Sequence, residues 1–317
     1  MSATVDQSPG SEEADLHVLN FCSLQRGDES EKANLLSACE EHRFFYLDLR
    51  DWESGEMLHN LEEIWNIMKK WFDQPLQEKL KTETISDAHG FKPPGVQSGV
   101  TEHSRDGFEA LRISRVCLLG RSHLPEVVRE NLHRFESFQL SAHFLLKSLL
   151  GCLSDAAQLK GSDRFESYHP DGLPSRSTMF FIHHPVSDAL DDKRGRGHNA
   201  HTDVGSFTLL FTEQPGLQVL SPKTNKWEYV VAKQGHAIVN VADTLRFISQ
   251  RRFRSAMHRV LPPGGKMLED RYSAAYFLLA SDSAFLSKYS SFNKTLQEQR
   301  LDSVATGGMD KDLGLLV

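Results

Sequence analysis

The sequence predicts a mainly β core flanked by helices, with the helices concentrated in its N-terminal half. Three observations predict it. From Ser177 onward, short β-rich runs recur between turn residues, among them 206–211 (Ser-Phe-Thr-Leu-Leu-Phe) and 237–241 (Ala-Ile-Val-Asn-Val). Before that point apolar residues repeat at helical spacing, as in Leu61, Ile64, Trp65, Met68 and Phe72. Residues with metal-ligating chemistry then punctuate the β-rich half: His201-Thr-Asp203, and His258 after a further 55 residues.

Residues 1–15 are polar and acidic and predict a disordered tail. Leu16–Phe21 reads as a short first strand. Asp28-Glu-Ser30 carries helix-start chemistry, and Leu35, Leu36 and Cys39 form an apolar stripe to about Glu41. Phe44–Leu49 is a strand, and Met57–Phe72 an amphipathic helix whose aromatics are read as core. Pro75 opens a short helix through Lys81, and Gly90-Phe-Lys-Pro-Pro-Gly95 is a turn-rich loop. Leu124 to about Leu150 predicts one long helix, with Phe135, Phe138, Ala142, Leu145 and Leu149 on one face. It is assigned a scaffold role. Thr178–Pro185 is a strand. Ser187–Asn199 is a charged, glycine-rich loop that can serve as a lid, although plain solvation accounts for its charges. Gly216, Pro222 and the Thr224-Asn-Lys turn separate short strands, and Asn240 and Asp243 are read as structural hydrogen-bonding groups. Arg251, Arg252 and Arg254 form a basic cluster, read as a solvated loop.

At 317 residues the chain has room for one large domain or two. A net charge of −7 argues against a nucleic-acid binder that works by neutralising phosphates. The four cysteines, Cys22, Cys39, Cys117 and Cys152, have neither Cys-x-x-Cys spacing nor a disulfide framework, so they read as buried thiols in a reducing compartment. No signal-peptide pattern opens the chain and no apolar run reaches the length of a membrane span. The expectation is a cytoplasmic protein with neither a nucleic-acid nor a membrane partner. Gly264-Gly-Lys266 lacks the glycine spacing of a phosphate loop, and no Gly-x-Ser-x-Gly nucleophile motif occurs.

Side chains at i and i+2 of a strand share a face, so His201 and Asp203 are expected to aim an imidazole and a carboxylate at one point. A return strand can bring His258 to the same point. Two histidines and one carboxylate with open positions beside them make the facial triad of non-haem Fe(II) oxygenases. The same set suits a zinc hydrolase. No candidate general base stands out beside it, however, and Arg271-x-Ser273, which follows His258 by 13 residues, would then have no role. Arg271 offers a planar fork of donors suited to a carboxylate, and Ser273 adds a hydroxyl on the same strand face.

These motifs resemble those of the isopenicillin N synthase-like family of Fe(II)- and 2-oxoglutarate-dependent oxygenases. The resemblance lies in His201-Thr-Asp-Val-Gly-Ser-Phe-Thr-Leu-Leu, in Asn240-Val-Ala-Asp243-Thr-Leu, in Ser255-Ala-Met-His258-Arg-Val, and in Arg271-Tyr-Ser273-Ala-Ala-Tyr-Phe277. It extends weakly over the N-terminal half. It implies a double-stranded β-helix (jelly-roll) core in a single oxygenase domain, 16–317, and it supplies the strand order that periodicity does not. Within that domain 16–175 is the helical N-terminal part, 176–290 the jelly-roll with the iron site, and 291–317 a C-terminal segment. It also implies Fe(2+) held by His201, Asp203 and His258, 2-oxoglutarate bound through Arg271 and Ser273, and O2 as the oxidant. His184 stands where relatives carry a tyrosine that helps hold the co-substrate, and it is expected to face the cavity and take that contact, the alternative being that one of His183 and His184 faces the core and the other solvent. Phe91, Phe108 and Phe277 are candidate substrate contacts, with core packing as the alternative for Phe108 and an uninvolved loop position for Phe91. The implied function is oxidation of a small specialised metabolite by hydroxylation, desaturation, cyclisation or ring rearrangement. A relative that does not consume 2-oxoglutarate and a non-catalytic small-molecule binder on the same fold are the alternatives.

Overall fold

Residues 12–52, 55–97, 105–186, 197–263 and 267–284 are described by the computed structural model. The strands are β1 (Val18–Asn20), β2 (Phe44–Asp48), β3 (Gly90–Lys92), β4 (Glu109–Ser114), β5 (Thr178–His184), β6 (His198–His201), β7 (Phe207–Thr212), β8 (Leu217–Leu220), β9 (Trp227–Tyr229), β10 (His236–Val241), β11 (His258–Val260) and β12 (Arg271–Leu278). They form an eight-stranded sheet in the order β1-β2-β10-β7-β12-β5-β4-β3 and a four-stranded sheet in the order β6-β11-β8-β9. All pairings are antiparallel except that of β1 with β2. The core is a jelly-roll.

The two faces of the large sheet have different partners. On β12, Ala274, Tyr276 and Leu278 join the main apolar core, as do Met179 and Phe181 of β5. Helices cover this face. The chief ones are α3 (Gly55–Phe72) and α7 (Leu132–Ala156), which pack against each other as well as against the sheet. α7 buries Phe135, Phe138, Ala142, Leu145 and Leu149 as its periodicity predicts, and each of the larger side chains contributes roughly 1.5–3 kcal/mol. The opposite face of the sheet meets the small sheet. There Phe44, Tyr46 and Ile238 pack against Leu217 and Val219.

Several boundaries differ from expectation. The predicted 124–150 helix is two helices, α6 (Glu126–Glu130) and α7, broken at Asn131. The Asn131 side-chain amide donates to the Val127 carbonyl at 2.9 Å, so a local side-chain bond competes with the helical ladder. The first strand is shorter than Leu16–Phe21, because the Asn20 side chain accepts from the Ser23 amide and caps a helix that begins at Phe21. The turn-rich stretch at Gly90 begins as a strand, β3, paired with β4. Residues 12–14, expected in the polar tail, run beside the edge strand β9: the Ala14 amide donates to the Tyr229 carbonyl at 2.8 Å, and Ala14 is buried. An open strand edge supplies the unpaired groups that hold them. Most of the expected lid loop, residues 187–196, and the C-terminal segment 291–317 lie outside the described residues.

Candidate metal and co-substrate site

β6 and β11 are neighbours in the small sheet, and their register places His201 directly opposite His258. Asp203 does not share a strand with His201, because β6 ends at His201 and Asp203 lies in the turn before β7. The convergence expected from strand alternation is instead produced by this turn, which is pinned where the Asp203 carbonyl accepts the Asp243 amide at 2.8 Å. Nε2 of His201 lies 3.7 Å, and Nε2 of His258 3.6 Å, from the same Asp203 oxygen, Oδ1. All three potential ligand atoms fall within 4.8 Å of one another.

The protonation pattern follows from the hydrogen bonds. Nδ1 of His201 is 2.7 Å from the Asn199 carbonyl, and Nδ1 of His258 is 3.0 Å from the Ala256 carbonyl. A carbonyl only accepts, so each Nδ1 carries the hydrogen and each Nε2 keeps its lone pair. Burial lowers the His201 pKa, which favours the neutral ligand form. The two Asp203 oxygens are differentiated as well. Oδ2 accepts from Thr208 Oγ1 at 2.7 Å and from Asn240 Nδ2 at 2.9 Å, which leaves Oδ1 toward the histidines. Burial pushes the Asp203 pKa up, but His258, His201 and these two donors outweigh it, and the carboxyl stays below its ordinary value. Two neutral imidazole nitrogens and one ionised oxygen on one side of a point are a donor set that fits a divalent transition metal with open positions.

Arg271 is 1% exposed at the start of β12, on the sheet face that meets the small sheet. Its Nη1 donates to Ser273 Oγ at 2.7 Å, so the two residues share a face as expected. Its Nε donates to the Pro215 carbonyl at 3.2 Å. Among the described residues no carboxylate lies within ion-pair distance of it, and burial lowers its pKa to about 10. An uncompensated buried guanidinium is a receptor for a carboxylate. His184 is its register partner on β5 and is buried, with no hydrogen-bond partner on either ring nitrogen among the described residues. Burial, reinforced by the Arg271 charge, holds its pKa well below the usual histidine value, so it is a neutral ring with one donor and one acceptor to spare. His183 faces the other way. Its ring stacks on Tyr272 at 4.6 Å, and Nδ1 bonds Glu109 Oε1 at 2.9 Å.

The three phenylalanines separate. Phe108 is fully buried between His184, at a ring distance of 5.3 Å, and His198, at 4.5 Å. His198 in turn stacks on His201 at 4.1 Å, so Phe108 lies one ring away from the candidate ligands. Phe277 is half-buried on the site face and pairs in register with Thr208, the residue that holds Asp203. Phe91 corrects the expectation. It lies 5.4 Å from Trp71 in the main core, on the helix-covered side, and its neighbour Lys92 takes the site side beneath Phe108. A three-residue strand before two prolines offers no period from which its face can be read. Thr208 and the Lys92–Asp106 ion pair carry no signal in the sequence. Thr208 lies inside the His201–Leu210 motif, but nothing local marks it as the partner of Asp203, and a lysine in a turn belongs to no motif; their partners lie 5 and 14 residues away on other segments.

The sequence model of the 2OG-Fe(II) oxygenase superfamily matches residues 177–280, which contain the triad, Arg271, Ser273 and His184. The chain is 45% identical over 315 residues to the 2-oxoglutarate-dependent dioxygenase FG08081 of Gibberella zeae, covering 95% of this chain and 94% of that protein. It is 35% identical to the 2-oxoglutarate-dependent dioxygenase gloE of Glarea lozoyensis, covering 97% of both. Among solved structures, a full-length Neurospora crassa protein in complex with alpha-KG superposes with a TM-score of 0.69 at 22% identity, over 84% of this chain and 85% of that one. The rice dioxygenase for auxin oxidation gives 0.63 at 21%, over 85% and 84%. At these identities the structural likeness speaks for the fold.

Proposed function

The chain belongs to the 2OG-Fe(II) oxygenase superfamily and is an iron- and 2-oxoglutarate-dependent dioxygenase; from that premise we propose that His201, Asp203 and His258 hold the Fe(2+), and that Arg271, Ser273 and His184 receive the remote carboxylate of 2-oxoglutarate. One observation carries the metal assignment: both imidazoles are held through Nδ1 by backbone carbonyls, which leaves their Nε2 atoms 3.7 and 3.6 Å from one Asp203 oxygen, around a shared space. Iron held by His201, Asp203 and His258 would supply the redox chemistry by which dioxygen converts 2-oxoglutarate to succinate and carbon dioxide and a substrate C–H bond is oxidised.

The protein's own contribution is placement and exclusion. Thr208 and Asn240 fix the carboxylate rotamer, so Oδ1 faces the metal position without a conformational search. Arg271 and Ser273 offer donors in a water-poor environment, where a charge-assisted pair is strong. His184, being neutral, can donate to a carboxylate oxygen without adding a second positive charge beside Arg271. Phe108 and His198 wall the space between the Arg271 end and His201. Phe108 and Phe277 are the pocket residues of this reading, and Phe91 is withdrawn from it.

The substrate is a small specialised metabolite in this reading. Support comes from relatives named as 2-oxoglutarate-dependent dioxygenases, and from the Neurospora crassa protein, whose structures hold thymine and 5-formyluracil. Residues 16–317 are read as one oxygenase domain, because the main core draws on residues from Leu19 to Leu278. No described helix is long and apolar enough to cross a membrane, and the cytoplasm is the proposed compartment.

The test is conversion of 2-oxoglutarate to succinate by the purified chain in air, with and without Fe(2+). His201→Ala and Asp203→Ala should abolish succinate formation while circular dichroism stays native. Full activity in either variant would remove the metal assignment. Succinate formed per oxidised product should approach one to one if the co-substrate is consumed in each turnover.

A further inference from the structure

The small sheet covers only part of the site face of the large sheet. Its apolar residues pack over Phe44, Tyr46 and Ile238, on the β2-β10 side. Toward β5 and β4 four large side chains of the same face, Phe180, Ile182, Phe277 and Arg112, are half-buried. On the helix side of the same strands, Met179, Phe181, Ile113 and Tyr276 are buried to 1% or less. An apolar floor of Phe180 and Phe277, with ring centroids 5.7 Å apart, therefore opens beside the residue pair Phe277–Thr208 that abuts Asp203.

Arg112 stands at the edge of this floor. It pairs in register with Phe180, and its guanidinium carbon lies 4.9 Å from the Phe180 ring centroid. Nη1 donates to the Asp87 carbonyl at 2.7 Å. The Asp87 carboxylate is occupied by Arg176, and among the described residues no carboxylate pairs with Arg112. A guanidinium has five N–H donors, so most of this one stays available. Lys92, the other cation of this region, offers a contrast. Its ammonium is saturated by Asp106, by the Phe108 carbonyl at 2.9 Å and by the Pro93 carbonyl at 3.4 Å. Lys92 is thus a clasp for the Phe108 segment, whereas Arg112 makes no ion pair among the described residues: Asp87, the acid whose charge reaches it, spends its carboxylate on Arg176.

We propose that Arg112 is the specificity-determining residue for the substrate, and that it selects a small molecule with an apolar body and a carboxylate at the end remote from the oxidised carbon. This rests on the metal and co-substrate assignment above. The two guanidiniums of the site face, neither of them in an ion pair among the described residues, then divide the work. Arg271 pairs with His184 and Arg112 with Phe180, four residues apart on β5, which is roughly 13 Å of strand. That separation lets two acids bind at once without competing for one cation. The aromatic floor between Arg112 and Thr208 takes the apolar body, and the Phe180 ring keeps the guanidinium plane in place by cation–π contact.

The test uses phenylacetate, 3-phenylpropanoate and hexanoate, each beside its primary amide, titrated calorimetrically onto protein loaded anaerobically with Fe(2+) and 2-oxoglutarate. At least one acid should bind about tenfold or more tightly than its amide, the factor expected of one hydrogen-bonded charge pair. Arg112→Gln should erase that preference, and Arg112→Lys should keep part of it. The 2-oxoglutarate Kd should be unchanged in both variants. The proposal is overturned if no acid outbinds its amide, if the preference survives in Arg112→Gln, or if that variant loses 2-oxoglutarate instead. Failure of the wild type to bind 2-oxoglutarate in an Fe(2+)-dependent way would sink the metal reading rather than this one. The acid and amide comparison is then made on metal-free protein, because Arg112 touches none of the triad.

Discussion

Asp203 illustrates how much of a proposed metal site lies outside the proposed ligand itself. Its two oxygens are chemically equal in the free side chain, and Thr208 and Asn240 make them unequal by binding only Oδ2. Removing either donor leaves the carboxylate freer to rotate and its buried oxygen short of a partner. Thr208→Val and Asn240→Ala are each expected to weaken Fe(2+) binding by about 10- to 100-fold, the usual cost of losing such a partner. Competition with a coloured chelator measures it, and wild-type affinity in both variants would contradict the role. Arg271 makes the complementary case for the co-substrate. Arg271→Ala should raise the KM for 2-oxoglutarate by about 100-fold, since a buried charge-assisted pair is lost. Succinate production against 2-oxoglutarate concentration reads this directly. An unchanged KM means that Arg271 binds something else.

At the scale of elements, two packing contacts decide where these residues sit. Gly197 precedes β6 at φ +97°, and a Cβ there would lie 1.9 Å from the Val260 carbonyl oxygen of β11. Only glycine permits this approach, which lets β6 lie against β11 where His198 pairs with Val260 and, past a register shift, His201 with His258. Gly197→Ala should part the two strands and lower Fe(2+) affinity more than about tenfold, with helical circular dichroism retained; native affinity would show that β6 adapts. The second contact joins α7 to the back of β12. His143 lies between Tyr276 Oη, at 2.9 Å from Nδ1, and Asp171, at 3.1 Å from Nε2. Burial, helped by the charge of Arg115, depresses its pKa to about 4. The unfolded chain binds this proton near pH 6.5 and the folded chain does not until about 4, so stability falls as the pH drops through that window. The loss at the acid end is on the order of 3 kcal/mol. His143→Gln keeps both hydrogen bonds without the titration. Its urea midpoint should therefore fall less between about pH 7 and about pH 4.5 than that of the wild type, and parallel curves would remove His143 as the cause.

On the scale of the whole molecule, the local signals were legible and the long-range ones came only with a family resemblance. The stripe from Leu61 to Phe72 and the face from Phe135 to Leu149 could be read because helical periodicity is a property of adjacent residues. Which strand lies beside which was not, because Ser273 meets Thr212 and Ile182 across intervals of 61 and 91 residues that carry no local pattern. The same limit hid the docking of residues 12–14 on β9, while the role of Thr208 and the face of Phe91 were hidden because short segments leave side-chain direction open. The triad was legible through its order, although the geometry that gathers it is a turn and not one strand. That gathering has a consequence for stability. His201 and His258 belong to the small sheet, Arg271 and Ser273 to the large one, and Asp203 to the turn between them. A metal with 2-oxoglutarate on it would therefore tie the two sheets together and bind the folded state alone. At about 100 times the Kd such binding adds about 2.7 kcal/mol, which corresponds to a rise in Tm of several degrees for a chain of this size. Under anaerobic conditions Fe(2+) should raise the Tm, and 2-oxoglutarate should raise it further only when Fe(2+) is present. Arg271→Ala should keep the first increment and lose the second, while His201→Ala should lose both. A full shift in His201→Ala would place the iron elsewhere, and a second increment that persists in Arg271→Ala would place the co-substrate elsewhere.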